Sequence, residues 1–84
     1  MDWDDELDAR GLLCPLPVLR ARRRLMTLPP GRVLRLLTDD PAALVDVPHF
    51  CAEAGHALLA AESVDHPAHA WLIRRDQGTK PPVT

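Results

Sequence analysis

Two cysteines are the residues of this sequence best suited to chemistry, and their surroundings differ. Cys14 lies in the segment GLLCPLPVL, directly before Pro15, and a second proline, Pro17, follows shortly after. Cys51 follows Phe50 in a largely apolar segment. Cysteines this far apart match no CxxC pair and no zinc-ligand spacing. For Cys14, four roles must be distinguished: a packed apolar side chain, half of a disulfide, a metal ligand and a nucleophile.

The residues after Cys14 favour a nucleophile at the start of a helix. Pro15 suits the first helical position, because its φ is preset and its missing N–H has no helical partner there. Cys14 is then the N-cap, where the positive end of the helix macrodipole favours the thiolate, which is the nucleophilic form. Pro17 offers no N–H, which leaves the N–H of Leu16 as the main local donor. We therefore predict a moderately acidic Cys14 thiol.

Hydrophobic periodicity predicts the elements that position this cysteine. Val18, Ala21, Leu25 and Leu28 form one stripe of a helix, with Leu19 and Met26 beside it. The second helix has Pro48 in its first turn and ends at Gly55. The predicted elements are a strand at about 6–9 closed by Gly11, a helix from Pro15 to the prolines at 29 and 30, a buried strand at 32–40, a helix from near Asp46 to 54, and an antiparallel hairpin of strands 57–64 and 70–75.

The predicted element order is β-α-β-α-β-β. Right-handed strand–helix–strand crossovers place both helices on the same side of the sheet. We therefore predict an α/β fold of the α+β two-layer sandwich type, with a small mixed four-stranded sheet and two helices on one face. The other face is expected to be open or covered by a partner. The prediction is a single domain over residues 6–75, with flexible tails at 1–5 and 76–84.

Composition excludes several classes of protein. The chain has 84 residues, 46% of them hydrophobic, which is enough for one core without a structural metal or disulfides. No apolar run approaches the roughly 20 residues that span a bilayer, so we expect no membrane insertion. The chain begins with the acidic MDWDDELD instead of a secretory leader, which predicts a cytoplasmic protein. The net charge of −2 argues against direct nucleic-acid binding.

Three segments resemble the TusA family of sulfur-carrier proteins, also called SirA-like. They are LDARGLLCPLPVL, GRVLRLLTDDPAALVDVPHFCAEAGHALL and AWLIRR, within residues 6–75. The central motif is Cys-Pro-x-Pro, preceded by Leu-Asp-x-x-Gly-Leu and followed by Thr-Asp-Asp-Pro, Phe-Cys and Gly-His. The resemblance implies a β-α-β-α-β-β sandwich. It also implies that Cys14 accepts a sulfane sulfur as a persulfide, with Gly11, Pro15 and Pro17 as the scaffold of the motif.

The resemblance implies protein partners and no cofactor beyond the transient persulfide. A cysteine desulfurase or a rhodanese supplies sulfur in such relays, and an acceptor protein receives it. Family members serve tRNA thiolation, molybdenum-cofactor supply, sulfur oxidation or thiosulfate uptake. The variable position of the motif is often acidic in the tRNA-thiolation members, whereas here it is Leu16. This departure leaves the pathway open.

Other candidate residues keep two interpretations each. Arg20, Arg23 and Arg24 lie on the side of the first helix away from its apolar stripe. They form either an ordinary solvated face or a docking surface for an acidic partner. We expect Cys51 to pack in the core on one face with Val47, Phe50 and Ala54.

Two rival functions remain at this point. One is a non-catalytic regulatory or RNA-associated module, which the arginine cluster alone supports. The other is a redox-active thiol protein that cycles through sulfenic acid or a Cys14–Cys51 disulfide. A metal site is not expected, since the four histidines are scattered and no tetrahedral ligand set is evident. They are His49, His56 at the end of the second helix, and His66 and His69 in the predicted hairpin turn.

Overall fold

The computed structural model describes residues 2–76 and confirms the predicted order β-α-β-α-β-β. Neither of the helices in this range is long and apolar enough to cross a membrane. The elements are β1 (Asp5–Asp8), α1 (Leu16–Met26), β2 (Val33–Thr38), α2 (Ala43–Ala54), β3 (Ala57–Asp65) and β4 (Ala68–Arg74).

The four strands form one mixed sheet in the order β1-β2-β4-β3. β1 runs parallel to β2, with Leu7 opposite Leu36, and β4 lies between β2 and β3, antiparallel to both. Because β1 and β2 are parallel, both end at the same edge of the sheet. The loop after β1, which contains Cys14, therefore meets the loop after β2, which contains Asp39 and Asp40.

The core lies between the two helices and one face of the sheet. Ala21 and Leu25 of α1 are fully buried, and Val18 and Leu28 of the predicted stripe pack against them, whereas Leu19 is half exposed. From the sheet and from α2 the core receives Leu7, Leu34, Leu36, Trp71, Ile73, Val47, Phe50 and Cys51. Alternate strand residues share this face, as the period of a β-strand requires. The two-layer arrangement is thus the one predicted.

The opposite face of the sheet carries side chains of the same chain. Arg35 lies beside Glu6, with 2.6 Å between its Nη1 and a carboxylate oxygen, and its guanidinium lies 4.6 Å from the ring centroid of Trp3. Leu37 and Leu72 are buried on this face as well. The residues before β1 therefore cover part of the face that the sequence predicts to be open or covered by a partner.

The N-terminal segment pairs with β2 earlier than the predicted boundary at residue 6. Asp4 donates its N–H to the Val33 carbonyl at 2.8 Å and accepts the Val33 N–H on its own carboxylate at 2.8 Å. β1 consequently begins at Asp5. For the predicted flexible tails, Met1 and residues 77–84 lie outside the described residues.

The second helix begins three residues before its predicted start near Asp46. The Ala43 N–H donates to the Asp40 carbonyl at 2.9 Å, and the Ala43 side chain is buried in the core. This bond and this packing add residues 43–45 to the start of the helix. Pro48 accordingly lies inside α2 and not in its first turn. Gly55 ends the helix as predicted, in the left-handed conformation with φ 81° that glycine adopts without a Cβ penalty.

Candidate functional site

The loop that carries the candidate nucleophile, residues 9–15, is held by two carboxylates from the loop after β2; we call it the sulfur loop. Gly11, with φ 84°, donates its N–H to Asp39 at 2.9 Å. Cys14 donates its N–H to Asp40 at 2.7 Å. The peptide bond between Cys14 and Pro15 is cis. The Thr-Asp-Asp-Pro segment therefore fixes the backbone on which the sulfur is mounted.

The structure does not place Cys14 at the N-cap of α1. The first helical residue is Leu16 and the N-cap is Pro15, so Cys14 lies one residue outside the helix. The Leu16 N–H, which the sequence predicts to serve the sulfur, donates instead to the Leu13 carbonyl at 2.9 Å. Pro17 occupies the second helical position instead of the third. The predicted N-cap role of Cys14 is wrong by this one-residue shift.

The thiol of Cys14 donates a hydrogen bond to the carboxylate of Asp46 in the first turn of α2, with 2.7 Å between Sγ and Oδ2. This bond raises the pKa of the Cys14 thiol above its ordinary value. Partial desolvation and the negative charges of Asp46 and Asp40 act in the same direction. The predicted lowering of this pKa is therefore wrong, and the structure favours the protonated thiol.

Distance decides between the helix and the carboxylate. A helix N-terminus is equivalent to roughly half an elementary charge, and its effect falls off within the first turn. Asp46 carries a full charge in direct contact with the sulfur, whereas the helix N–H groups begin beyond Cys14 and the nearest is already bonded. Since the interaction between charges falls with separation, the carboxylate dominates.

Cys14 is exposed and lines a small cleft between the starts of α1 and α2. Apolar side chains flank both partners of the thiol bond: Leu13 precedes Cys14 and is 70% exposed, and Val45 precedes Asp46 and is 72% exposed. The cleft is lined by Cys14, Pro15, Pro17, Val18, Asp40, Ala43 and Asp46. An exposed sulfur framed by apolar side chains is suited to contact with another protein.

A second depression, here called the arginine groove, contains all three arginines singled out from the sequence. Arg24 bonds to Asp5 at 3.0 Å and so fastens α1 to β1. Arg20 and Arg23 form no ion pair within residues 2–76. Leu16 adds a half-exposed apolar wall. The groove is lined by Leu7, Leu16, Leu19, Arg20, Arg23, Arg24 and Thr27.

Cys51 has the environment of a core residue. Its side chain is 2% exposed, and burial raises the pKa of its thiol to about 11. Both cysteines are free thiols. A buried thiol that resists ionisation is a poor partner for rapid disulfide exchange with Cys14, because the thiolate is the attacking form. This environment argues against the redox-active alternative.

The four histidines lie apart. His49 faces Glu53 on α2, with 3.6 Å between Nε2 and the carboxylate, and His56 follows the helix as predicted. His66 lies in the hairpin turn, but His69 belongs to β4 and not to the predicted turn. Within residues 2–76, no three histidine, cysteine, aspartate or glutamate side chains converge as metal ligands.

Sequence reasoning missed the three carboxylates around the sulfur loop. Asp39 and Asp40 follow a buried strand, and Asp46 lies in the first turn of the next helix. Parallel strands β1 and β2 end at one edge of the sheet, which is where α/β folds assemble their sites. Acidic residues directly after the second of these strands could therefore have been expected beside Cys14.

Comparison with known proteins identifies a family and a similar fold. Residues 5–75 match the family described as sulfurtransferase TusA, which is nearly the whole of the described chain. The fold is similar to that of a SirA-like protein from Desulfitobacterium hafniense, with a TM-score of 0.77 and 24% sequence identity over 88% of this chain and 100% of that one. The chain belongs to the TusA family of sulfurtransferases.

Proposed function

We propose that this protein is a sulfur carrier that receives sulfane sulfur as a persulfide on Cys14 and relays it to an acceptor protein. One observation carries the proposal. Of the two cysteines of this TusA family member, the one in the Cys-Pro-Leu-Pro motif is exposed, and the other is buried in the core. The carrier acts with partner proteins and needs no resident cofactor.

The proposed chemistry consists of two exchange steps. The Cys14 thiolate attacks the terminal sulfur of a donor persulfide, a new S–S bond forms on Cys14, and the donor cysteine leaves with the electron pair of the broken bond. An acceptor thiolate then attacks the terminal sulfur on Cys14. The bond between the two sulfur atoms breaks, and Cys14 is the leaving group, as a thiolate. The sulfur atom is transferred from one protein to another without net oxidation, so no external oxidant or reductant takes part.

The arginine groove supports a docking role. Within residues 2–76, Arg20 and Arg23 form no ion pair, and both line the groove with the apolar side chains of Leu16 and Leu19. Leu16 belongs to the Cys-Pro-Leu-Pro motif, so the groove begins two residues from the sulfur. A partner surface that carries carboxylates around an apolar patch complements this groove.

The pathway is one of those that the family serves: tRNA thiolation, molybdenum-cofactor supply, sulfur oxidation or thiosulfate uptake. Leu16 makes the surface next to the sulfur neutral and apolar where an acidic residue is common in tRNA-thiolation members. We therefore propose a partner without a cationic group at that contact. The cytoplasm suits this relay, since its thiols remain reduced.

The loading experiment is direct. The protein is incubated with a cysteine desulfurase and cysteine, or with a rhodanese and thiosulfate, and its intact mass is measured. A gain of one sulfur atom that is removed by a reductant is expected in the wild type and in Cys51→Ser, and is expected to be absent in Cys14→Ser. Absence of any gain in the wild type with both donors, or an undiminished gain in Cys14→Ser, contradicts the proposal.

A further inference from the structure

The contact between the thiol of Cys14 and Asp46 goes beyond what a sulfur carrier requires. A sulfur that is exposed for transfer needs only an accessible mount, which the sulfur loop already supplies. Here, however, a carboxylate from another element accepts the thiol proton at 2.7 Å. Within residues 2–76, Sγ has no other hydrogen-bond partner, so the position of its proton depends on this one carboxylate.

The charged groups around the sulfur are uniformly negative. Asp46 comes from α2, and Asp40 comes from the loop before α2 and holds the backbone N–H of Cys14. No arginine of α1 forms a hydrogen bond with the sulfur or with either carboxylate. The pKa of the Cys14 thiol is accordingly raised, mainly by the bond to Asp46. Among the described residues, the groups that act on this thiol therefore disfavour its ionisation.

We propose that Asp46 is a latch for the unloaded carrier: its carboxylate holds Cys14 as a thiol in the cleft between α1 and α2, and it loses this hold when the sulfur becomes a persulfide. The proposal rests on the sulfur-carrier function and adds a residue that distinguishes the empty state from the loaded one.

The release follows from the balance of the loading step. A donor persulfide R–S–SH and the Cys14 thiol yield the Cys14 persulfide and R–SH. The proton that Sγ donated to Asp46 leaves with the donor thiolate, and Sγ receives a bond to sulfur in its place. The loaded Sγ therefore has no proton to donate to Asp46. The terminal sulfur lies about 2 Å further out, and once its own proton has passed to water it is an anion that the carboxylate repels.

The latch predicts that the empty carrier reacts slowly with small electrophiles and that removal of Asp46 makes it faster. The unloaded protein is treated with iodoacetamide over a series of pH values, and the label on Cys14 is quantified by peptide mass spectrometry. The variants are Asp46→Asn and Asp46→Ala, since an asparagine oxygen can still accept a weak bond. Glu53→Gln removes a carboxylate from the same helix without contact to the sulfur and is the matched control.

We expect both Asp46 variants to be alkylated several-fold faster than the wild type at neutral pH, with the rate profile moved to lower pH, and Glu53→Gln to match the wild type. Thermal unfolding of each variant shows whether the fold is retained. Unchanged or slower alkylation of folded Asp46→Ala overturns the latch. Because this assay uses no sulfur donor, its failure leaves the loading result standing. Failure of the wild type to load overturns the carrier function and with it the role of the latch in transfer.

Discussion

The carboxylate of Asp40 fastens the sulfur loop to the start of α2, and its removal gives the sharpest test of how the site is built. One oxygen accepts the Cys14 N–H at 2.7 Å, and the other accepts the Ala42 N–H at 3.3 Å. The second bond forms an Asx turn directly before the helix, whose own N-cap residue, Ala42, has no side chain for capping. Asp40→Ala breaks both bonds without adding bulk.

The expected destabilisation follows from these two bonds. A hydrogen bond to a charged group contributes about 1.5–3 kcal/mol, and loss of a capping side chain costs about 1 kcal/mol. The Asp40 bonds are partly exposed to water, which replaces them in part. We therefore expect a loss of about 1–2 kcal/mol in the free energy of unfolding. In a domain of this size, each kcal/mol lowers Tm by about 4–8 °C.

Urea unfolding of the wild type and Asp40→Ala measures this loss. The urea concentration at the midpoint of unfolding should fall, whereas the dependence of the free energy of unfolding on urea concentration should stay the same. Glu62→Ala is the control, because the Glu62 side chain is exposed on β3 and forms no hydrogen bond or ion pair within residues 2–76. Asp40→Ala also removes a negative charge that raises the pKa of the Cys14 thiol. Iodoacetamide should therefore alkylate Cys14 faster in Asp40→Ala than in the wild type. An unchanged midpoint would refute the reasoning that Asp40 fastens the sulfur loop.

Three further predictions test other parts of the molecule. Reversing the charge of Arg20 and Arg23 should weaken binding of a sulfur donor and reduce the salt dependence of that binding. Reversing the charge of Arg32, at the opposite edge of the sheet, should change neither. Equal effects of the two changes in a binding titration argue against a docking role for the arginine groove. Thr38→Val leaves the buried indole N–H of Trp71 without its acceptor at 2.9 Å. This change should lower the free energy of unfolding by about 1–3 kcal/mol, measured in urea, and a smaller loss shows that the bond contributes less to stability than expected. Burial lowers the pKa of His56, so its contribution to stability is present above the unfolded value of 6.5 and is lost as the pH falls through the lowered pKa. His56→Gln should flatten this part of the pH dependence of the urea midpoint, and an unchanged slope contradicts the assignment.

The elements of this fold could be predicted because local patterns specify them. The apolar stripe that includes Ala21 and Leu25 marks the buried face of α1, and Gly55 marks the end of α2. The start of α2 could not be placed, because Pro48 resembles a first-turn proline. Tertiary packing of Ala43 and its bond to Asp40 add a turn before it.

A candidate sulfur atom can be chosen from the sequence, but the electrostatics around it cannot be predicted there. The motif around Cys14 singles it out, and the exposed thiol agrees with that choice. The direction of its pKa shift depends on Asp46, which lies 32 residues away in the chain. No pattern near Cys14 contains that contact; it arises only when the ends of β1 and β2 meet at one edge of the sheet.

The central claim is that Cys14 carries sulfur and gives it up. The most direct measurement loads the protein from a persulfide donor, removes the donor, and traps the bound sulfur with an alkylating reagent before and after addition of an acceptor thiol; digestion then locates it. The account predicts a trapped persulfide on the peptide that contains Cys14, which disappears when the acceptor is added. A trapped persulfide on Cys51, or one on Cys14 that no acceptor thiol removes, would contradict it.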